Sequence, residues 1–177
     1  MSYLELFIGP MYSGKTSALI QLYKKYIFCN IPILVINHNL DNRYHDTLLT
    51  SHDQLMIPCV KTDNIQNIMK TTEYKCCNVV LINEAQFYTD LFDSVSIMLS
   101  EGKRIYISGL DGDFERKKFG QILDLIPLCD KVTKMSALCG ICKNGEPAIF
   151  SVRLSDDKNQ LLVGSDNYLP VCRKCFR

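Results

Sequence analysis

Short apolar runs alternate with segments of helical periodicity along the first two thirds of the chain. The apolar runs predict buried strands at residues 3–8, 33–36, 79–82 and 104–107. Between them, apolar side chains recur at the spacing of a helix face in residues 14–29 and 91–99. Strands and helices that alternate in this order predict an α/β fold with a parallel central sheet flanked by helices.

The pattern changes near residue 136, where the helical periodicity ends and two cysteine pairs enclose a polar loop. We therefore predict a core domain over residues 1–135 and a small C-terminal module over residues 136–177.

Composition narrows the class of protein. The chain has 177 residues, of which 47% are hydrophobic, so one domain of ordinary size with its own core can form. The formal net charge is +1, which argues against a nucleic-acid-binding protein because such proteins carry a clustered basic excess. The apolar runs are much shorter than a membrane span, which predicts that the chain has no membrane partner.

The cysteines indicate a reducing compartment. There are nine of them and the N-terminal residues do not resemble a signal peptide, so we expect a cytoplasmic protein with free thiols. Five lie outside the cysteine pairs and are predicted to be buried apolar side chains: Cys29, Cys59, Cys76, Cys77 and Cys129.

One motif carries specific chemistry. The eight residues after the first predicted strand match the pattern G-x-x-x-x-G-K-[ST] at every position: Gly9, Pro10, Met11, Tyr12, Ser13, Gly14, Lys15 and Thr16. In such a loop, backbone N–H groups surround an anion, the lysine reaches the β- and γ-phosphates, and the threonine hydroxyl can bind Mg²⁺. The strand before the motif and the helix after it make an ordinary glycine-rich turn the weaker interpretation. The motif therefore predicts an ATP site.

Two polar residues, Asn83 and Glu84, follow the third predicted strand. In a parallel α/β sheet this is the edge at which ligands bind, so Asn83 could support Mg²⁺ and Glu84 could accept a proton from an attacking hydroxyl. A second interpretation is equally compatible with the local residues. Asn is a favoured helix N-cap and Glu suits a first helical turn.

The two C-x-x-C pairs lie near the C-terminus, at Cys139 with Cys142 and at Cys172 with Cys175. Each pair can form a knuckle that offers two thiolates, and four thiolates suit a tetrahedral zinc site. Disulfide bonds are the weaker interpretation in a reducing compartment. An all-cysteine site would be structural rather than catalytic.

Together these motifs resemble the type II thymidine kinase family, the cellular and poxvirus kind, over nearly the whole chain. Four elements occur in the family's order: the phosphate loop with its Met, the segment Glu84-Ala85-Gln86-Phe87, the segment Leu110-Asp111-Gly112-Asp113-Phe114, and the cysteine pairs. The segments that begin at Asp41 and at Ser51, and the stretch from Gly164 to Tyr168, are also similar to family elements.

The resemblance implies a function and a set of residue roles. The implied reaction transfers the γ-phosphate of ATP to the thymidine 5′-hydroxyl for DNA precursor synthesis, with Glu84 as the base. Arg43 would hold phosphate charge, and Thr16, Asp41 and Asn83 would lie near Mg²⁺. The implied nucleoside pocket consists of Met11, Phe87, Leu110, Phe114, Phe119 and Tyr168. The family also implies a structural Zn²⁺, a lasso loop between the cysteine pairs that folds over the base, and a homotetramer.

Four positions depart from the family pattern: Asn83 stands where Asp is usual, Asp113 where Thr is common, Lys118 where Pro is common, and Val163 where Gly is usual. Because an amide lacks the charge of a carboxylate, we expect a higher Mg²⁺ requirement than in an Asn83→Asp variant, unless Asp41 already supplies that charge. Two rival functions remain open. One is a kinase or ATPase for another small substrate, and the other is a zinc-ribbon ATPase that binds nucleic acid.

Overall fold

The computed structural model describes residues 1–41, 47–51, 54–155, 160 and 167–176. The strands in this part of the chain are, in order, Tyr3–Ile8 (β1), Ile33–His38 (β2), Leu48–Thr50 (β3), Met56–Pro58 (β4), Val60–Thr62 (β5), Val79–Ile82 (β6), Arg104–Gly109 (β7), Lys131–Lys134 (β8), Ala137–Leu138 (β9), Pro147–Ala148 (β10), Phe150–Arg153 (β11) and Tyr168–Val171 (β12). The α-helices are Lys15–Phe28 (α1), Ile65–Met69 (α2), Thr72–Cys76 (α3) and Leu91–Ser100 (α4). Short 3₁₀ turns occur at Ala85–Phe87 and Ile122–Leu128.

The central sheet has the strand order β5-β2-β6-β7-β1-β8, and each neighbouring pair is parallel. Helix α1 packs on one face, where Leu19 and Ile20 are buried against alternate strand residues such as Leu81. Helix α4 covers the other face, where Val95 and Met98 join the larger apolar cluster. The predicted α/β class is therefore confirmed. Strand β6 is buried along its whole length because both faces of the sheet are covered, which explains its continuous apolar run.

The predicted elements agree with the structure where the periodicity is long. The helix expected at residues 14–29 is Lys15–Phe28, and that expected at 91–99 is Leu91–Ser100. The sequence pattern missed strand β8, which has the sequence KVTK and lies at the edge of the sheet with Lys131 and Val132 exposed. An edge strand in solvent needs no apolar run, so it leaves little hydrophobic signal.

The C-terminal module consists of two small antiparallel sheets, β9 with β10 and β11 with β12. It has its own small apolar cluster, whose buried members are Ala137, Cys139, Ala148, Val171 and Cys172. We retain the division near residue 135 as a proposal: β8 still pairs with the central sheet, and β9 begins the module.

Two of the five cysteines predicted to be buried are exposed. Cys29 follows the last residue of α1 and Cys76 ends α3, so both lie at helix ends on the surface. Cys77 is buried as predicted, and Cys59 and Cys129 are half-buried. Position in the fold decided their exposure, since the neighbouring Cys77, which caps the same helix as Cys76, joins the main apolar cluster.

Candidate active site

The phosphate loop connects β1 to α1 and is held by the segment that leaves β8. Gly9 has φ +150°, and a Cβ atom at this position would lie 2.3 Å from the carbonyl oxygen of Met135. The N–H of Met135 in turn donates to the carbonyl oxygen of Ile8 over 2.7 Å. Only glycine therefore fits between the loop and this segment.

The start of α1 is suited to an anion. Gly14 precedes the helix and provides no side-chain cap, and no acidic residue lies in the first turn. The N–H groups of that turn and the positive end of the helix dipole therefore point to the loop. The Lys15 ammonium donates to the carbonyl oxygen of Pro10 and to Ser13 Oγ, so the lysine folds back over the loop.

Thr16, Asn83 and Ser108 meet at the carboxyl edge of the sheet. The Asn83 Oδ1 atom accepts a hydrogen bond from Ser108 Oγ over 2.7 Å and lies 3.4 Å from Thr16 Oγ1. Asn83 and Ser108 are each 1% exposed. The structure therefore brings together two of the three residues expected near Mg²⁺, and the third, Asp41, is connected to Asn83 through Asn37.

Glu84 has a left-handed backbone conformation, with φ +53°. A non-glycine residue in this region is strained, and such strain is concentrated at functional sites. Glu84 precedes the 3₁₀ turn at Ala85–Phe87 but makes no side-chain capping hydrogen bond, and the Asn83 side chain contacts the neighbouring strands instead. The helix-cap interpretation of these two residues is therefore wrong.

Gln86 connects the Glu84 carboxylate to the loop after β7. Its Nε2 atom donates to Glu84 Oε2 over 2.6 Å, and its Oε1 atom accepts from the Leu110 N–H over 2.9 Å. Gln86 is 3% exposed, and Gly120, with φ +62°, approaches so closely that a Cβ atom would lie 2.2 Å from the Gln86 carbonyl oxygen. Sequence reasoning missed this residue, although it stands only two positions after Glu84.

Four of the six residues expected to line the nucleoside pocket are aromatic, and they form two groups. Phe87 and Phe119 meet edge to face, with ring centroids 5.7 Å apart, and His38 contacts Phe87 at 5.4 Å. In the second group, the Arg153 guanidinium lies 3.9 Å from the ring centroid of Phe114 and 5.2 Å from that of Tyr168.

Arg153 also donates through Nη2 to the Tyr168 hydroxyl over 2.6 Å. Sequence reasoning missed Arg153, because its partners lie about 40 residues before it and 15 residues after it in the chain.

The C-terminal module contacts the phosphate loop directly. The N–H of Met11 donates to Ser151 Oγ on β11 over 2.9 Å. Ser151 therefore positions the backbone of Met11, which was expected to contact both the phosphates and the nucleoside.

The four paired cysteines form one cluster. The sulfur atoms of Cys139, Cys142, Cys172 and Cys175 all lie within 4.8 Å of one another. Desolvation would raise the pKa of Cys139, but the backbone amides of Cys142 and Cys172 lower it to about 6. The Cys175 thiol donates a hydrogen bond to the Cys172 sulfur, and this raises the pKa of Cys175 to about 12. The sulfurs therefore share protons, which a divalent cation can replace, and the cluster is compatible with zinc.

Some predicted features lie outside the described residues. These are Arg43, the motif residues 52 and 53, and the tip of the expected lasso at residues 161–166, which includes Val163. Among the described residues, no helix is long and apolar enough to cross a membrane.

The fold and this site define a phosphate-binding-loop protein of the α/β class, with a carboxylate after a central strand and a four-cysteine cluster near the C-terminus. A family model described as "Thymidine kinase" matches residues 2–176. The chain belongs to the thymidine kinase family.

Curated relatives from viruses and plants carry the same name. The chain is 37% identical to the thymidine kinase of Myxoma virus (strain Uriarra), and the match covers 98% of this chain and 95% of the relative. It is 36% identical to the thymidine kinase of Variola virus, covering 98% and 96%. It is 34% identical to thymidine kinase a of Arabidopsis thaliana, covering 98% and 74%.

Proposed function

We propose that this chain transfers the γ-phosphate of ATP to the 5′-hydroxyl of thymidine. The observation that carries the proposal is the family match over residues 2–176, which includes the phosphate loop, Glu84 and the cysteine cluster together. The positions of the site residues support it, because β1 and β6 are parallel strands of one sheet and their carboxyl ends lie at the same edge.

The loop residues would hold the triphosphate. Backbone N–H groups of residues 12–16, which include the N-terminus of α1, would bind phosphate oxygens, while Lys15 would reach the β- and γ-phosphates. Arg43 would add positive charge to the same group. Mg²⁺, when bound, would supply positive charge that offsets the phosphate charge, and the residues that would hold or support it are Thr16, Asp41 and Asn83.

Glu84 would accept the proton during transfer. The thymidine 5′-oxygen forms a bond to the γ-phosphorus, the bond from that phosphorus to the β–γ bridging oxygen breaks, and ADP leaves. The hydroxyl proton passes to the Glu84 carboxylate, whose contact with the Gln86 amide keeps it facing the loop after β7. The products are thymidine 5′-monophosphate and ADP.

The nucleoside would be enclosed by Met11, Phe87, Leu110, Phe114, Phe119 and Tyr168. The two aromatic groups offer apolar faces that exclude water, and water exclusion favours transfer to the substrate hydroxyl over hydrolysis of ATP. We propose that Zn²⁺ at the four cysteines is structural and holds the module that carries Ser151, Arg153 and Tyr168.

Several broader properties also remain proposals. The cysteine cluster requires reduced thiols, which favours the cytoplasm. A net charge of +1 gives no basis for a nucleic-acid partner. A homotetramer follows from the family resemblance.

Transfer of radiolabelled γ-phosphate from ATP to each of the four deoxynucleosides tests the reaction. We expect labelled thymidine 5′-monophosphate and much less product from deoxyadenosine, deoxyguanosine and deoxycytidine. Label on another nucleoside alone would favour a kinase with a different substrate. ATP hydrolysis that is stimulated by single-stranded DNA would instead favour the nucleic-acid-binding ATPase.

A further inference from the structure

A buried chain of hydrogen bonds connects the ends of β2 and β6. Asn83 Nδ2 donates to Asn37 Oδ1 over 3.0 Å, and Asn37 Nδ2 donates to Asp41 Oδ2 over 2.9 Å. Asn37 and Asn83 are each 1% exposed and Asp41 is 9% exposed. We call these three residues the amide relay.

The carboxylate of Asp41 sets the direction of the amide relay. An ionised carboxylate only accepts hydrogen bonds, so Asn37 must turn its NH₂ group to Asp41 and its carbonyl oxygen to residue 83. Residue 83 must then donate, which an asparagine can do and an aspartate cannot. The remaining oxygen of Asn83 accepts from Ser108, as observed.

An aspartate at position 83 would therefore conflict with this chain's own residues. In one orientation of Asn37, its oxygen would face the new carboxylate. In the other, its oxygen would face Asp41. Either way two acceptors meet without a proton in a site closed to water, which is a costly arrangement for buried polar atoms.

We propose that Asn37 is a positioning residue that orients Asp41, and that the direction of the amide relay makes Asp41, not residue 83, the carboxylate that supports Mg²⁺. The proposal rests on the proposed function, because it requires Mg²⁺ and ATP at the phosphate loop.

The backbone of Asp41 is held as well as its side chain. Its N–H donates to the carbonyl oxygen of His38 over 3.0 Å, and its own carbonyl oxygen accepts from Lys61 Nζ over 2.8 Å. Asp41 is thus restrained at three atoms. This is the preorganisation that a residue near a metal requires, and it explains how an amide can occupy position 83.

Three variants test the direction of the hydrogen bonds in the amide relay: Asn83→Asp, Asp41→Asn, and the double variant with both changes. Without nucleotide, Asn83→Asp should lower Tm by roughly 3–9 °C because acceptors face each other. Asp41→Asn should change Tm by only about 2 °C, since an amide oxygen still accepts from Asn37. The double variant should recover most of the loss. In it, the new amide at position 41 can donate to Asn37, and Asn37 can then donate to the new carboxylate at position 83.

The supporting role of Asp41 is measured separately, as equilibrium binding of a fluorescent ATP analogue titrated with Mg²⁺. Asp41→Asn should raise the Mg²⁺ concentration at half-saturation roughly fivefold, although its Tm is retained. Asn37→Leu should lower Tm and also raise the Mg²⁺ midpoint. Thr62→Val is the matched control, because it removes two partly buried hydrogen bonds on the adjacent strand β5 and should lower Tm without moving that midpoint.

The proposal is overturned if Asn83→Asp is as stable as the wild type, if the double variant is no more stable than Asn83→Asp, or if Asn37→Leu leaves the Mg²⁺ midpoint unchanged. If Asn83→Asp does not fold, a folded double variant supports the relay and an unfolded one opposes it. Failure of the proposed function is distinguishable, because the wild type would then make no thymidine monophosphate whatever the variants do to Tm.

Discussion

The central sheet and the C-terminal module are stabilised in different ways. In the sheet, β6 is buried along its whole length, and helices cover both faces. In the module, β9 and β10 have two residues each, and the buried cluster consists mostly of small side chains, two of them cysteines. Larger side chains such as Phe150 and Leu169 pack against this cluster but are only partly buried, so we expect the module to need a metal for its stability.

The two regions therefore contribute differently to the candidate active site. The phosphate loop and Glu84 lie on the part of the molecule that apolar burial stabilises. The module places Ser151, Arg153 and Tyr168 against that part, and we propose that its own order depends on metal binding at the cysteine cluster. We therefore expect substitution of Lys15 or Glu84 to affect chemistry with little loss of structure, and loss of the module's cysteines to affect structure first.

The largest expected effect comes from Glu84→Gln. The amide keeps the shape of the side chain but cannot accept the proton, so phosphate transfer should fall by roughly 10²–10⁴-fold while ATP binding is retained. Steady-state kinetics with thymidine and a binding assay with an ATP analogue measure the two properties. Lys15→Ala is the contrasting variant, since it should weaken nucleotide binding itself. A Glu84→Gln enzyme with near-normal turnover would remove Glu84 from the catalytic role.

The next effect concerns the metal. Purified protein should contain about one zinc ion per chain, and Cys142→Ser or Cys175→Ser should lose it and lower the Tm, because metal binding and folding of the module are coupled. Elemental analysis and thermal unfolding provide the measurements. Cys76→Ser is the matched control, since this exposed cysteine lies outside the cluster and its loss should leave zinc in place. Full zinc retention in both cluster variants would contradict a Cys₄ site.

A smaller effect is expected at the contact between the two regions. Arg153→Met removes the guanidinium that stacks on Phe114 and Tyr168, and cation–π contacts of this kind contribute about 0.5–2 kcal/mol. We expect KM for thymidine to rise by roughly 2–30-fold, with a smaller change in kcat. Arg173→Met is the control, because Arg173 stacks on Phe150 within the module. Equal KM values in the two variants would count against a pocket role for Arg153.

The smallest effect is a pH dependence of stability at His38. Burial lowers the pKa of His38, although the nearby Asp63 and Glu84 carboxylates partly offset this. The unfolded chain therefore takes up a proton near the ordinary pKa of about 6.5, while the folded chain stays neutral to lower pH. Stability from this source is present above that pH and is lost as the pH falls below it.

Thermal unfolding between about pH 7.5 and about pH 5.5 tests this effect. His38→Asn is the comparison, because its amide oxygen can accept from the Leu40 N–H as His38 Nδ1 does, but it does not titrate. The wild type should lose more stability than the variant across this range. Parallel curves would show that His38 does not contribute.

Some parts of the molecule could be predicted from sequence because their signal is local. The phosphate loop is eight consecutive residues, and its flanking strand and helix have clear periodicities. The four cysteines were identified from their spacing, and the structure brings them together. Strand β8 was missed, because an exposed edge strand has no apolar run. Cys29 and Cys76 were wrongly predicted to be buried, because the exposure of a cysteine depends on which neighbours the fold supplies.

The sequence by itself determined the family, the α/β class, the anion-binding loop and the cysteine cluster, since each is written in contiguous residues or in short repeated spacings. Only the tertiary structure decided how the polar residues between them are connected. Asn37 lies on β2, Asn83 directly follows β6 and Ser108 lies on β7, and they become neighbours because the sheet places β6 between β2 and β7. Their hydrogen bonds have a direction that depends on which atoms face one another across the sheet, and a linear sequence does not specify that pairing.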